Sequence, residues 1–323
     1  MSYKPPYTIT PKITNLVAQI SEAIGSYYAH ENLRLHRVNR IKTIHGTLAI
    51  EGNTLSTEQV TAVLEGKPVV APINEVQEVR NALKAYELLD TLDPCKVDDL
   101  LKAHATMEVG LIDEIGCFRK GGAGVVSGKT VIHYAPDAER VPFLVNDLFE
   151  WLRTTDEHPL IASCVFHYEF EFIHPFADGN GRMARLWHTA LLSKWKPIFE
   201  YIPLESQTEK FQDEYYNAIA ACHGEGPADT FIEFMLRMID SVLDELAEQI
   251  ARADDRLPLC VKKLMDHMEY DTPYTAAELM QRLELKSRNA LRNNYLSPAM
   301  RLGLVVMTIP DKPNSRNQRY IKI

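Results

Sequence analysis

The run His174-Pro-Phe-Ala-Asp178-Gly-Asn-Gly-Arg182, with Arg185 three residues further on, gathers side chains suited to polyphosphate chemistry. His174 is the group in it whose ordinary pKa lets it take up a proton near neutral pH. Asp178 is a hard oxygen donor of the kind Mg²⁺ accepts together with nucleotide phosphates. Arg182 and Arg185, at i and i+3, share a helix face and offer bidentate donors to successive phosphates. Gly179 and Gly181 let the main chain come close to a ligand, and Asn180 adds an amide donor. Phe176 is expected in the core, anchoring the run.

Helices must hold these groups. His174 precedes Pro175 and is biased away from the α region, so it should end a helix begun near Leu160. Pro175 to Gly181 then leads into a second helix, Arg182 to Lys194. Free N–H groups and the dipole at such a helix start favour an anion. Upstream, Val38, Ile41, Ile44 and Leu48 recur as an amphipathic stripe that stops at Gly52. Ser56-Thr-Glu-Gln59 reads as a capping box opening a helix closed by Gly66. Val76, Val79, Leu83, Leu88 and Leu89 continue the helical pattern. Helices are also expected from Pro142 to Arg153 and from Ala228 to about Ala253. Between Gly121 and Val141 the glycines and the paired β-branched residues predict a short β-hairpin or flap.

The 323 residues provide for two or three domains, and 46% hydrophobic with 24% charged residues is the composition of a globular chain. No apolar run approaches the roughly 20 residues of a membrane span, so no membrane partner is expected. Cys95, Cys117, Cys164, Cys222 and Cys260 are scattered and form no CxxC pair, which argues against a zinc site or disulfide framework and predicts a reducing, cytoplasmic setting. The net charge of −9 is uneven: residues 256–323 hold 12 Lys+Arg against 6 Asp+Glu, the remainder 23 against 38. The polar break Ala251–Pro258 marks a domain boundary near 255. Beyond it, helices over Leu259–His267, Ala276–Leu283 and Arg288–Leu302 and strands over Leu304–Thr308 and Arg319–Ile323 describe a winged helix-turn-helix. Thr275-Ala-Ala-Glu278 caps its second helix. Lys286, Arg288, Arg292, Arg301 and Arg316 suit DNA phosphates, while docking of a protein or a second copy of the chain stays open.

The His174–Arg185 run resembles the full signature of the Fic family of AMP-transferring proteins, without departure at any defining position. The resemblance covers residues 35 to 250 well and the first 30 hardly. It implies a mainly α fold, a Fic-type helical core with a hairpin flap, in three parts: an N-terminal region (1–95), a catalytic core (96–254) and the winged domain (255–323). It implies a protein adenylyltransferase that moves AMP from ATP to a Ser, Thr or Tyr hydroxyl of a target protein. His174 would take the hydroxyl proton and Asp178 would hold Mg²⁺. Gly179, Asn180 and Gly181 would cradle phosphate oxygens, and Arg182 and Arg185 would neutralise the outer phosphates. A de-AMPylating or bifunctional enzyme, or a nucleotide-sensing DNA-binding regulator, is the alternative.

Thr47-Leu-Ala-Ile-Glu51-Gly-Asn53 is similar to the family's N-terminal inhibitory motif. A carboxylate at a helix C-terminus is disfavoured by the dipole and should seek a cation; the resemblance makes Glu51 inhibitory through Arg185. The family places a target-aligning flap at Val131-Ile132-His133 and aromatics of a base pocket at Tyr215 and Tyr216, where His223 departs from the family's asparagine. Gly116-Cys-Phe-Arg119 matches a family segment and reads as structural.

Overall fold

The computed structural model describes residues 3–27, 33–127, 130–255, 257–269, 272–313 and 315–322. The chain divides into two compact units, Met1–Ser26 with Val38–Leu243, and Tyr27–Arg37 with Asp244–Ile323.

The first unit is helical apart from one hairpin. Its helices are α1 (Pro11–Tyr27), α2 (Leu33–Ile50), α3 (Thr57–Leu64), α4 (Ile73–Glu87), α5 (Val97–Glu108), α6 (Val141–Thr154), α7 (Pro159–Ile173), α8 (Asn180–Trp195), α9 (Leu204–Lys210), α10 (Gln212–Glu225) and α11 (Asp229–Asp255), with α1 belonging to this unit as far as Ser26, α2 from Val38 and α11 as far as Leu243. α7 and α8 form its centre: α7 packs on α6 and α8, and α8 also on α5. α7 is apolar on nearly every face and buried from Leu160 to Glu171, the behaviour of a helix surrounded by others. The capping box at Ser56 is present, with Gln59 reaching back to the cap N–H.

The stripe expected on α2 is corrected. Val38 is exposed, while the face turned inward carries Asn39, Thr43 and Thr47 beside Ile44 and Leu48. A buried polar face needs partners, and one of them proves to be Arg185. The N-terminal segment, which the sequence left unassigned, is tied to the core: Tyr3 Oη donates to Glu169, Ala228 N–H to Pro6 O, and Thr8 N–H to Asp229.

Strands β1 (Gly124–Ser127) and β2 (Thr130–Tyr134) pair antiparallel, as the composition of that stretch predicts. The register slips between Val125 and Val126, so Ile132 is the extra residue of a bulge.

The second unit holds its own apolar core, including Val261, Leu264, Leu279, Leu291, Leu296, Ala299 and Val305. Its elements are α12 (Leu259–Asp266), β3 (Pro273–Tyr274), α13 (Ala276–Arg282), a helical run made of α14 (Arg288–Ala290), a π turn (Leu291–Leu296) and α15 (Ser297–Arg301), then β4 (Val305–Met307) and β5 (Tyr320–Lys322). The sheet order is β3-β5-β4, antiparallel throughout. β3 was not legible in the sequence, since two residues beginning with proline give no alternating pattern. No helix among the described residues is long and apolar enough to cross a membrane.

Candidate active site

The site lies between the end of α7 and the start of α8. His174 caps α7 with φ 51° and ψ 61°, a left-handed conformation that non-glycine residues seldom adopt. The proline effect therefore does end the helix, but into the left-handed rather than the extended region. The conformation is held from outside: Arg119 Nε donates to His174 O at 2.7 Å and its main-chain N–H to Pro175 O at 2.9 Å. The same guanidinium reaches Gly121 O and Pro136 O, on either side of the hairpin, so one buried cation fixes both the cap and the flap base. On the side chain of His174, Nδ1 lies 3.8 Å from Glu171 Oε2.

The turn is stapled beneath. Asn180 is buried, its Oδ1 accepting the Phe176 N–H at 2.8 Å and its Nδ2 donating to Phe176 O at 2.9 Å. Its side chain thus shapes the turn, and what it can offer a ligand is its main-chain N–H. Phe176 is fully buried, as expected, and stacks on His104 at 3.7 Å. The His104 Nδ1 accepts the Gly116 N–H at 2.9 Å, which leaves Nε2–H to donate to Asp178 O at 3.1 Å. Burial pushes this imidazole down to about 4, so it stays neutral and keeps that tautomer.

Gly179 precedes α8 with φ 79°, and a β-carbon there would collide with the Glu108 carboxyl. The helix starts two residues earlier than expected, at Asn180, so Asn180, Gly181 and Arg182 present the first-turn N–H groups that have no intrahelical partner. The Asp178 side chain is 64% exposed, its Oδ1 accepting the Gly179 N–H.

Both arginines are buried beside a carboxyl. Arg182 Nη2 lies 3.1 Å from Glu108 Oε2, while its Nε and Nη1 make no hydrogen bond among the described residues. Burial pushes Glu108 up to about 7, with Arg182 pulling it back down; the contact serves the carboxylate as an ion pair and the neutral acid through its carbonyl oxygen. Arg185 donates through Nε to Thr47 Oγ1 and through Nη2 to Thr47 O, both at 3.0 Å, and through Nη2 to Glu51 Oε1 at 2.6 Å. Burial alone would favour loss of the Arg185 proton, but Glu51 outweighs it and the guanidinium is held more firmly charged than usual.

Glu51 sits one residue past the end of α2 rather than in its last turn. Gln212 Nε2 bonds Ile50 O at 2.9 Å, and Asn53 Nδ2 bonds Glu78 Oε2 at 2.7 Å, so the ledge carrying Glu51 is held by α10 and α4.

The other expected positions divide. Tyr215 is corrected: it is a core residue, 1% exposed, bonded to His167 Nε2 at 2.9 Å and packed on Phe231, and lines no surface. Tyr216 is half-buried with its hydroxyl toward Ile50 O, next to Glu51. His223 packs among Tyr168 and Phe172. The backbone of Val131, Ile132 and His133 is strand β2, while their side chains lie outside the described residues. His104 and Glu108 were missed, because on α5 they read as unremarkable helical positions. Only the packing of α5 on α8 brings them under the turn.

Comparison with known proteins agrees with this geometry. Residues 94–192 match the Fic/DOC family, and residues 260–321 match the C-terminal domain of Fic-like, filamentation-induced-by-cAMP proteins. Among curated proteins, the protein adenylyltransferase Fic of Aedes aegypti is 28% identical over 249 residues, 72% of this chain and 48% of that protein. That of Nematostella vectensis is 29% identical over 211 residues, 62% of this chain and 47% of that protein. The chain thus spans about half the length of the curated relatives it matches. Among solved structures, Caenorhabditis elegans Fic-1 (residues 134–508) shares the fold at 22% identity, covering 75% of this chain and 73% of that one with a TM-score of 0.60. A Fic family protein from Desulfovibrio desulfuricans G20 is 47% identical, covers 99% of this chain and 98% of its own, and superposes with a TM-score of 0.76. At that identity over the whole length, with the His174–Arg182 turn built as described, the chain belongs to the Fic family.

Proposed function

We propose that this chain is a protein adenylyltransferase that moves AMP from ATP to a Ser, Thr or Tyr hydroxyl of a target protein, itself included, and that Glu51 holds it in check. The observation that carries the reading is the pair of buried arginines on the first turns of α8. Arg182 has two nitrogens without a hydrogen bond among the described residues, and Arg185 is occupied by Glu51. Several relatives bear the name protein adenylyltransferase, which supports the reaction class.

In this reading His174 takes the hydroxyl proton as the oxygen attacks the α-phosphorus. The bond from that phosphorus to the diphosphate oxygen breaks, and diphosphate leaves. The first-turn N–H groups of α8 and the free nitrogens of Arg182 hold phosphate oxygens, where fixed donors act without reorganising. The exposed Asp178 carboxylate fits Mg²⁺. No group of three acidic, His or Cys side chains among the described residues could hold a metal alone, so the ion would arrive with the phosphates. Once bound, it supplies charge neutralisation. With Arg185 paired to Glu51 the outermost phosphate lacks its counter-ion, and ATP seats unproductively.

The test is Glu51→Gly incubated with ATP labelled at the α-phosphate. Protein labelling should rise at least about tenfold, equivalent to about 1.4 kcal/mol of relieved inhibition. Unchanged labelling with ATP binding intact would remove Glu51 as the brake. Label arriving from the γ-phosphate instead would replace AMP transfer with phosphorylation.

A further inference from the structure

The catalytic reading leaves the second unit without a task, and its surface is specialised. From Lys286 to the end of the chain there are eight Lys+Arg and one acid, Asp311. The unit's other acids, Glu31 and those from Asp244 to Glu284, precede that stretch. The helical run from Arg288 to Arg301 turns Leu291, Leu296 and Ala299 into the core, and Lys286, Arg288, Asn289, Arg292 and Asn293 stand exposed on its outer side. Ser287 caps it, its Oγ accepting the Ala290 N–H. The π turn over Leu291–Leu296 comes just before Pro298, which has no N–H to give Asn294 and would crowd its carbonyl, so the turn widens instead of breaking.

We propose that the second unit binds duplex DNA, with the outer side of this helical run in the major groove. Arginine and asparagine are the two side chains that pair bidentately with guanine and adenine edges there. Arg288, Asn289, Arg292 and Asn293 set two of each on adjacent ridges. The connection from Thr308 to Arg319 between β4 and β5 adds exposed Lys312, Arg316 and Arg319, which with Lys286 suit phosphates flanking the groove. A protein partner would look for apolar anchors. Among the described residues, the exposed large apolar side chains of this unit are Leu259, Leu302 and Val306, outside the 286–294 stretch.

The experiment uses the full chain and fluorescent duplexes. Random-sequence duplex should bind at about 50 mM salt and weaken steeply with added salt, with a log–log slope of about −3 to −4 for four phosphate contacts. Selection from a random duplex library should yield a motif containing guanine and adenine. Asn289→Ala and Arg292→Ala should each lose about 10- to 100-fold of the preference for that motif while leaving the salt slope nearly unchanged. Arg316→Ala should weaken all duplexes alike and lower the slope by about one. Circular dichroism checks that the variants fold, as exposed positions should allow. No duplex binding at about 50 mM salt, single strands or heparin binding as well as duplex, or a selection that yields no motif would each overturn the proposal. The first outcome would point to a protein partner.

Discussion

The Glu51 carboxylate lies against the main chain of Gly181, so close that a β-carbon there would overlap Oε1 and come within 3.1 Å of Arg185 Nη1. The absence of a side chain at Gly181 therefore admits the carboxylate to the first turn of α8. A phosphate oxygen approaching the same N–H groups meets a negative charge already there. Inhibition in this reading is competition between two anions for one helix start.

Removing the base should separate chemistry from binding. In the Glu51→Gly background, His174→Ala is expected to cut AMP transfer by about 100-fold or more, since general-base catalysis contributes 10²–10⁴. ATP affinity by calorimetry should stay within about twofold, because the phosphate donors come from α8 and not from the imidazole. A parallel loss of ATP binding would mean that His174 acts through the shape of the turn.

Glu108→Gln should separate stability from binding. The carboxyl is fully buried 3.1 Å from Arg182, but with its pKa at about 7 and Asp178 3.7 Å from the same nitrogen, its loss should cost about 1–3 kcal/mol. The melting temperature should fall, and Mg·ATP should restore more of it than it adds to the parent, because phosphate then becomes the counter-ion for Arg182. Equal ATP-induced shifts in the two proteins would show that Glu108 does not share Arg182 with the ligand.

Arg119→Lys tests the clamp on the cap. One ammonium cannot serve carbonyls of His174, Gly121 and Pro136 that diverge around a planar fork. A loss of about 2–4 kcal/mol is expected from the stranded carbonyls. Transfer should fall more than ATP affinity, because the left-handed His174 is what the clamp holds. Restored transfer at low temperature, without restored stability, would sustain that division.

The pH dependence of stability should carry the mark of Glu171. Burial raises its pKa to about 7; Glu51 adds to the rise and Arg185 opposes it, with His174 on its own helix 3.8 Å away. The folded chain then keeps a proton that the unfolded chain releases between about pH 4.5 and 7. The stabilisation from this group is fully present below that range and is lost as pH rises through it. Compared with Glu171→Gln, the parent should lose up to about 3 kcal/mol between pH 4.5 and 8. Parallel denaturation profiles for the two proteins would rule the effect out.

The sequence by itself determined many of the elements, though not β3 or the N-terminal segment, and the residue types that suit phosphate chemistry. The Ser56 and Thr275 capping boxes, the hairpin and the loop from His174 to Arg182 are written in local patterns, where each residue's type meets the need of its own turn. Tertiary packing decided which of those residues could reach a ligand. Val38 fits the helical stripe yet is exposed, because α2 turns Thr43 and Thr47 inward, and Thr47 is among the partners Arg185 requires. Tyr215 and Tyr216 are neighbours of one type, and burial on the core side of α10 sends one to His167 and leaves the other near Glu51. Asn180 faces Phe176, and Glu108 lies beneath Gly179, through contacts between α5, α7 and α8 that no spacing along the chain encodes. Periodicity records what repeats within one element; where buried charges find their partners depends on elements far apart in sequence.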